Sequence, residues 1–116
     1  MVNNDIPHDS AQLNLIFSAL SDPTRRAMLL KLADKEHSIA DLSAPFNISK
    51  SAVTKHIKVL EKAGLLRRTI DGRVHHCRLA IDPLHAASEW MTFYQKFWHT
   101  KLDALDSYLS SEKDDS

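Results

Sequence analysis

The sequence has few of the residues that break regular structure or cross-link a chain. Its 116 residues include two glycines, four prolines and one cysteine. A sandwich or barrel of many short strands needs frequent turns, so this shortage favours a mainly helical fold. The single cysteine, Cys77, excludes a disulfide within the chain and a zinc or redox motif built on a Cys-x-x-Cys pair.

Long apolar runs and a secretory signal are also lacking. No segment approaches the roughly 18 apolar residues of a membrane-spanning helix, and the first ten residues lack the basic and apolar stretches of a signal peptide. The composition, 43% hydrophobic and 26% charged, is typical of a globular domain. We therefore expect one cytosolic domain over residues 11–110, between a disordered N-terminal segment (1–10) and a disordered tail (111–116).

Charge is not distributed evenly along the chain. Fifteen basic residues balance fifteen acidic ones. However, the stretch from Pro23 to Arg78 holds 12 lysines and arginines against five acidic residues, and the remaining residues are correspondingly acidic. A basic middle with acidic ends is typical of a domain that binds a polyanion. The alternative is an ordinary solvated surface, and the charge distribution alone does not decide between the two.

Hydrophobic spacing and capping residues predict five helices. Apolar residues at helical spacing begin at Leu13, and Asp22-Pro23 is a helix start for the next segment. Ser38 and Asp41 fit a capping box for a short third helix. Ser49 is the expected N-cap of a helix that runs to about Lys62, and a long last helix is expected over residues 84–110.

Between the last two helices the spacing changes to that of strands. Residues 65–70 and 73–79 are two strand-like runs separated by Asp71-Gly72, a typical hairpin turn. The predicted order is thus α-α-α-α-β-β-α, mainly α with a small β-hairpin. Two helices joined by a tight turn and followed by a basic hairpin indicate a winged helix-turn-helix.

The helix from Ser49 to Lys62 has two faces of different chemistry. Val53, Ile57 and Leu60 lie on one side, whereas the other side carries small hydroxyls in its first turns and lysines further along. Small hydroxyls let a helix approach base edges in the major groove, and lysines neutralise phosphates. An alternative is a solvated face in some other fold. His56 lies at the border, where it can either bond to backbone inside the motif or contact a phosphate.

Cations also concentrate on the hairpin, where arginines and histidines occupy about a dozen residues. Clustered cations repel one another unless a polyanion draws them together, which favours contact with the DNA backbone over an edge strand that is merely protected by charge. The predicted DNA contacts are Ser49, Lys50, Ser51, Thr54, Lys55, His56, Lys58, Arg68 and Arg73.

The last helix is apolar on more than one side, with a second aromatic row beside its main stripe. A chain of this size cannot cover both rows, so we expect a twofold-related copy to bury one of them. A ligand pocket lined by the aromatic row is the alternative. The predicted dimerisation residues, on the first and last helices, are Leu13, Phe17, Trp90, Phe93, Phe97 and Leu105.

Three segments together resemble the ArsR/SmtB family of bacterial winged-helix repressors. They are Leu20–Arg26, Ile39–Leu42 and Ser49–Leu65, and the hairpin over Arg67–Arg73 fits as the wing. The resemblance extends over about residues 12–110. It implies a homodimer that assembles through the first and last helices, binds an inverted-repeat operator and represses transcription, in many members until a metal binds.

The known metal sites of that family are not reproduced. Ser38 and Ala40 stand where arsenic- and lead-type sensors carry a Cys-x-Cys pair. The pairs His85/Glu89 and His99/Asp103 have i, i+4 spacing but do not reproduce the zinc-type ligand pattern. We therefore predict no cofactor and no metal site, and the effector is not readable from the sequence. Cys77 could be a redox switch because its neighbours are cationic, but strand alternation pairs it with Leu66 and turns it inward.

Three classes of function thus compete. A DNA-binding repressor is favoured by the helix and hairpin together, and its partners would be a duplex operator and a second copy, with no membrane. A winged-helix protein–protein adaptor would gain little from so many arginines, and a ligand- or metal-responsive sensor is a variant of the same fold. We predict no enzyme, because no glycine-rich phosphate loop, nucleophilic triad or paired catalytic carboxylates occur.

Overall fold

A computed structural model of the chain describes residues 10–114. Of the predicted disordered N-terminal segment, Ser10 alone lies within the described residues. Residues 115–116 of the predicted tail lie outside them. The elements in order are α1 (Ser10–Leu20), α2 (Pro23–Asp34), β1 (His37–Ser38), α3 (Ile39–Ser43), α4 (Lys50–Lys62), β2 (Leu66–Asp71), β3 (Val74–Leu79) and α5 (Ile81–Asp114). The winged helix-turn-helix prediction is confirmed, with one strand added.

The helix starts form as their capping residues predict. Asp22 accepts the Arg25 backbone N–H at 3.0 Å, with Pro23 at the first helical position. Ser38 accepts the Asp41 N–H at 3.1 Å, and Ser49 caps α4. Each cap satisfies one of the backbone donors that a helix start leaves unpaired.

The added strand is β1, which pairs antiparallel with the far edge of β3 and completes a sheet of order β1-β3-β2. A strand of two residues is too short to show alternating apolar and polar positions in the sequence. β1 forms because the fold brings His37 beside Cys77. The strand anchors the start of α3 to the wing.

The hairpin turn lies one residue later than predicted. Asp71 pairs with Val74, so Gly72 and Arg73 form the two-residue turn, and Gly72 has a φ of +62°. The prediction that Cys77 lies opposite Leu66 is therefore wrong, because the shifted turn places Cys77 opposite Arg68. A glycine is suited to the positive φ, which other residues rarely adopt.

Helix α5 is longer than predicted at both ends. It begins at Ile81, so Asp82 and Pro83 lie within its first turn. At the other end, residues 111–114, which we expected in the disordered tail, continue the helix. Neither glycine nor proline follows Pro83, so nothing in the local sequence stops the helix.

The core lies among α1, α2, α3, α4 and the wing. Its fully buried members include Ile16, Met28, Leu42, Ile57 and Leu60. α5 joins this core through its first turns, where Ala87 is buried. No helix within residues 10–114 has the length and apolar character needed to cross a bilayer.

Candidate nucleic-acid interface

The outer face of α4 is open to solvent along its whole length. Val53, Ile57 and Leu60 point into the core. The residues on the opposite face are all exposed. They are the predicted contacts Lys50, Ser51, Thr54, Lys55 and Lys58, followed by Lys62. The core face therefore fixes which side of α4 meets a ligand.

The hydroxyls at the start of α4 make short local hydrogen bonds. Ser49 Oγ accepts the Ala52 N–H at 3.1 Å and lies 3.2 Å from Ser51 Oγ. Thr54 donates its hydroxyl proton to the Lys50 carbonyl at 3.0 Å. Ser49 thus caps the helix, and Thr54 presents a methyl group and acceptor lone pairs outward, which suits contact with a base edge.

Arg73 occupies the tip of the wing, in the hairpin turn itself, where its side chain is exposed. Arg67 and Arg78 lie opposite each other further down the same strands and are exposed too. Exposed cations on a hairpin are suited to contact with a phosphate backbone.

Arg68 differs from the other arginines of the wing because it is already paired. Its Nε donates to Glu61 Oε2 at 3.2 Å, its Nη2 donates to the other carboxylate oxygen, and its Nη1 lies 3.3 Å from His75 Nδ1. The hydrogen bond to Glu61 raises the pKa of Arg68 above its usual value. These hydrogen bonds join the wing to the end of α4. Because the Glu61 carboxylate partly neutralises the Arg68 guanidinium, Arg68 should attract a phosphate less strongly than Arg73 does.

His56 points toward the junction of α1 and α2. Its Nδ1 lies 3.1 Å from Arg25 Nη1 and 3.9 Å from Asp22 Oδ2. Because a guanidinium only donates, Nδ1 is the acceptor and Nε2 is the ring nitrogen left to donate. These contacts are with side chains rather than with the backbone partner that the sequence left open, and the phosphate contact stays a prediction.

Arg25 and Glu61 are the positioning residues that sequence reasoning missed. Besides its contact with His56, Arg25 donates to the Ala19 carbonyl at 2.8 Å and to the Ser18 carbonyl at 3.1 Å. It therefore ties the end of α1 to α4, as Glu61 ties α4 to the wing. The segments that resemble the family contain both Arg25 and Glu61, but neither role has a signal in local spacing.

The predicted dimerisation residues divide into three groups by their burial. Leu13 is 8% exposed and belongs to the core of the protomer, so it has little surface to offer a partner. Phe17 and Trp90 are half-buried and pack with ring centroids 5.8 Å apart. Phe93, Phe97 and Leu105 are all exposed on α5.

Burial makes Cys77 a poor redox centre. Its side chain is fully buried, and desolvation raises the pKa of the thiol even though Arg68 acts in the opposite direction. Thiolate formation, which the cationic neighbours of Cys77 would favour, is therefore opposed. The inward orientation predicted for Cys77 is confirmed.

The i, i+4 pairs on α5 form as two-residue contacts. His85 Nε2 lies 3.0 Å from Glu89, and His99 Nε2 lies 3.4 Å from Asp103, both on exposed helix surface. Within residues 10–114, no three histidine, cysteine or acidic side chains come close enough together to hold a metal ion.

Known proteins resemble this chain in both sequence and fold. A helix-turn-helix domain model matches residues 20–69. The transcriptional repressor SdpR of Bacillus subtilis is 32% identical over 79 residues, which cover 68% of this chain and 88% of that protein. The HTH-type transcriptional regulator Rv2034 of Mycobacterium tuberculosis is 32% identical over 102 residues, which cover 86% of this chain and 91% of that protein.

A solved structure agrees with these relatives. The crystal structure of an ArsR family transcriptional regulator superposes with a TM-score of 0.75 at 36% identity, covering 81% of this chain and 97% of the other. The likeness thus extends beyond the helix-turn-helix to most of the chain.

Proposed function

This chain belongs to the ArsR/SmtB family of DNA-binding transcriptional regulators, and we propose that it acts as a homodimeric repressor on an inverted-repeat operator. The observation that carries this proposal is the exposed row of hydroxyls and lysines on α4, with Arg73 on the wing beside it. Similarity to a transcriptional repressor supports the direction of regulation.

In the proposed complex, α4 of each protomer enters a major groove. Ser51, Thr54 and Lys55 approach the bases, while Lys50 and Lys58 contact phosphates on either side. Arg73 contacts the backbone next to the adjoining minor groove. These contacts would provide both affinity and register.

The second copy supplies the second recognition helix. The exposed aromatic residues of α5, together with Phe17 and Trp90, support dimerisation through the terminal helices, because their burial stabilises the assembled form. Twofold symmetry then requires half-sites whose centres lie about 34–36 Å apart.

The test is selection of preferred duplexes from random oligonucleotides by the full chain, followed by titration at several salt concentrations. We expect a palindrome with that spacing and an affinity that falls steeply as salt rises. Lys55→Ala should weaken binding at least tenfold, whereas Lys35→Ala, which removes an exposed lysine from the end of α2, should change it less than twofold.

Selection without enrichment, or binding that does not depend on salt, would contradict the proposal and favour the protein–protein adaptor. The selection is then repeated with a chelator, with zinc and with an oxidant. DNA binding that changes in any of the three indicates a metal- or redox-responsive repressor, and DNA binding that stays the same in all three indicates a repressor that responds to neither.

A further inference from the structure

An apolar groove of about 330 Å³ lies where α2 meets the end of β3 and the start of α5. Arg26 is the charged residue of its lining, and the other lining residues include Leu20, Leu29, Leu30, Leu79 and Leu84. Small-molecule sites have volumes of about 300–1,000 Å³ and are mostly apolar with a few placed polar groups. The groove therefore has the size and the chemistry of a site for a small ligand.

Three of the lining leucines are anchored in the core, whereas a fourth is largely uncovered. Leu20, Leu79 and Leu84 each pack against the core with part of their surface. Leu30, by contrast, is 75% exposed, the most of any large apolar side chain among those described. The anchored leucines hold the shape of the groove, and an apolar ligand would remove the surface of Leu30 from water.

Arg26 is held at this groove by one of its three nitrogens. Its Nη1 donates to the carbonyl oxygen of Leu20, itself a lining residue, at 2.7 Å. No other residue within 10–114 accepts a hydrogen bond from Arg26. Nε and Nη2 share one edge of the guanidinium, so this edge is left with two parallel donors for a ligand.

A second arginine in the same chain shows what such an edge binds. Arg68 uses its Nε and Nη2 to hold both carboxylate oxygens of Glu61. This bidentate pairing is the geometry in which a planar guanidinium recognises a planar carboxylate. Arg26 offers the same two donors at the groove but has no carboxylate partner among the described residues.

We propose that the groove binds a monocarboxylic acid with an apolar chain. Nε and Nη2 of Arg26 hold the carboxylate, while the chain lies along the leucines and covers Leu30. The single cation of the lining matches a single negative charge. Sugars and nucleotides are disfavoured, because their many polar groups would lose hydrogen bonds to water against an apolar lining.

The position of the groove makes such a ligand an effector. The lining comes from α2, which precedes the helix-turn-helix, from β3 of the wing and from the start of α5, whose exposed part carries the proposed dimer contacts. A ligand that contacts all three elements favours one arrangement of α5 relative to α2. The effector role rests on the proposed repressor function, whereas binding in the groove does not.

Calorimetric titration of the full chain with sodium octanoate tests the ligand class. Octan-1-ol has a chain of the same length without the charge, and acetate has the charge without the chain. We expect octanoate to bind, and the other two to bind at least about tenfold more weakly. Absence of octanoate binding would overturn the proposal. Equal binding of octan-1-ol would overturn the role of Arg26, and equal binding of acetate would overturn the role of the leucines.

Two variants locate the site, each with a matched control. Arg26→Gln removes the charge, and Leu30→Ser removes an apolar side chain that contributes little to the core. We expect octanoate binding to weaken about tenfold in the first and about fivefold in the second. Arg67→Gln and Ile70→Ser make the same changes at exposed positions of the wing, and they should alter binding less than about twofold. Unaltered octanoate binding in the two groove variants would overturn the proposal.

Methyl NMR of the leucines locates the ligand directly. Octanoate should shift the methyl signals of Leu30 and Leu84, which lie on different elements of the groove. Shifts confined to side chains near the aromatic residues of α5 would place the ligand on that helix and overturn the groove site.

Titration of the selected operator with and without octanoate tests the effector role. The affinity of the wild-type chain should change about fivefold, and that of Arg26→Gln less than about twofold. Octanoate binding in the groove without a change in operator affinity would overturn the effector role. A chain that selects no operator but binds octanoate would overturn the proposed repressor and leave the groove site in place.

Discussion

Between Leu13 and Ala87 the chain encloses most of its apolar side chains within the protomer, whereas from Met91 onward α5 leaves all of its large apolar side chains about half exposed. The first region, which we call the head, is basic and stabilised by its own core. The second, the α5 arm (residues 91–112), has no core of its own. The fold of the head and the assembly of the proposed dimer therefore depend on separate sets of residues.

The same contrast exists in charge. The head concentrates lysines and arginines on α4 and the wing, while the α5 arm ends in acidic residues. A polyanion is therefore attracted to the head and repelled by the end of the arm, which leaves that end available to a protein surface. Substitutions in the two regions should accordingly separate stability, assembly and DNA binding.

The largest expected effect is on the stability of the head. Ile57 is 1% exposed at the centre of α4, so Ile57→Ala should lower the free energy of unfolding by about 2–5 kcal/mol through lost burial and a cavity. Urea unfolding followed by circular dichroism measures this. The neighbouring exposed Lys58→Ala should change stability by less than about 0.5 kcal/mol, and a similar loss in both variants would contradict the assignment of the two faces.

The next effect is on assembly. Trp98 is exposed in the protomer and lies in the apolar stripe of the α5 arm, so Trp98→Ala should destabilise the proposed dimer by roughly 3 kcal/mol, counting about 1.5 kcal/mol for each copy. The circular dichroism of the head should not change. Sedimentation equilibrium over a concentration series measures the loss, and an unchanged dimer would place the interface elsewhere.

A smaller effect distinguishes two arginines of the wing. Arg73→Ala should weaken binding to all DNA sequences alike and reduce the slope of log affinity against log salt by about one. Arg68→Ala should change that slope less, because Glu61 already pairs with this guanidinium. Titrations at several salt concentrations measure both slopes. An Arg73→Ala chain that altered operator preference while keeping its salt slope would refute the backbone contact.

The smallest effect concerns the cap of α2. The hydrogen bond from the Arg25 N–H lowers the pKa of Asp22 below its ordinary 3.8. The ionised cap therefore stabilises the fold at pH values above 3.8, and this stabilisation is lost as the pH falls through the lowered pKa. Asp22→Asn keeps a capping oxygen without a titrating charge. The stability of the wild type relative to this variant should thus fall between about pH 5 and pH 2, as measured by urea unfolding. A constant difference would contradict the titration of Asp22.

Local chemistry predicted much of the head, because its signals act over a few residues. Ser49 and Asp22 cap their helices through contacts three residues away, and the α4 stripe fixes which side of that helix is buried. Strand β1 was missed because its pairing with β3 joins residues that are far apart in sequence. The hairpin turn was misplaced by one residue because Asp-Gly and Gly-Arg are both compatible with a tight turn until the strands pair.

Local sequence patterns predicted the order of the five main helices and the wing, the basic character of the middle of the chain and the excess of apolar surface on α5. Periodicity, capping and composition are local properties, so they are readable without a fold. The pairing of Arg68 with Glu61, the contact of His56 with Arg25 and the burial of Leu13 became visible only in the folded chain. Each of these outcomes depends on distances between elements, and packing sets those distances.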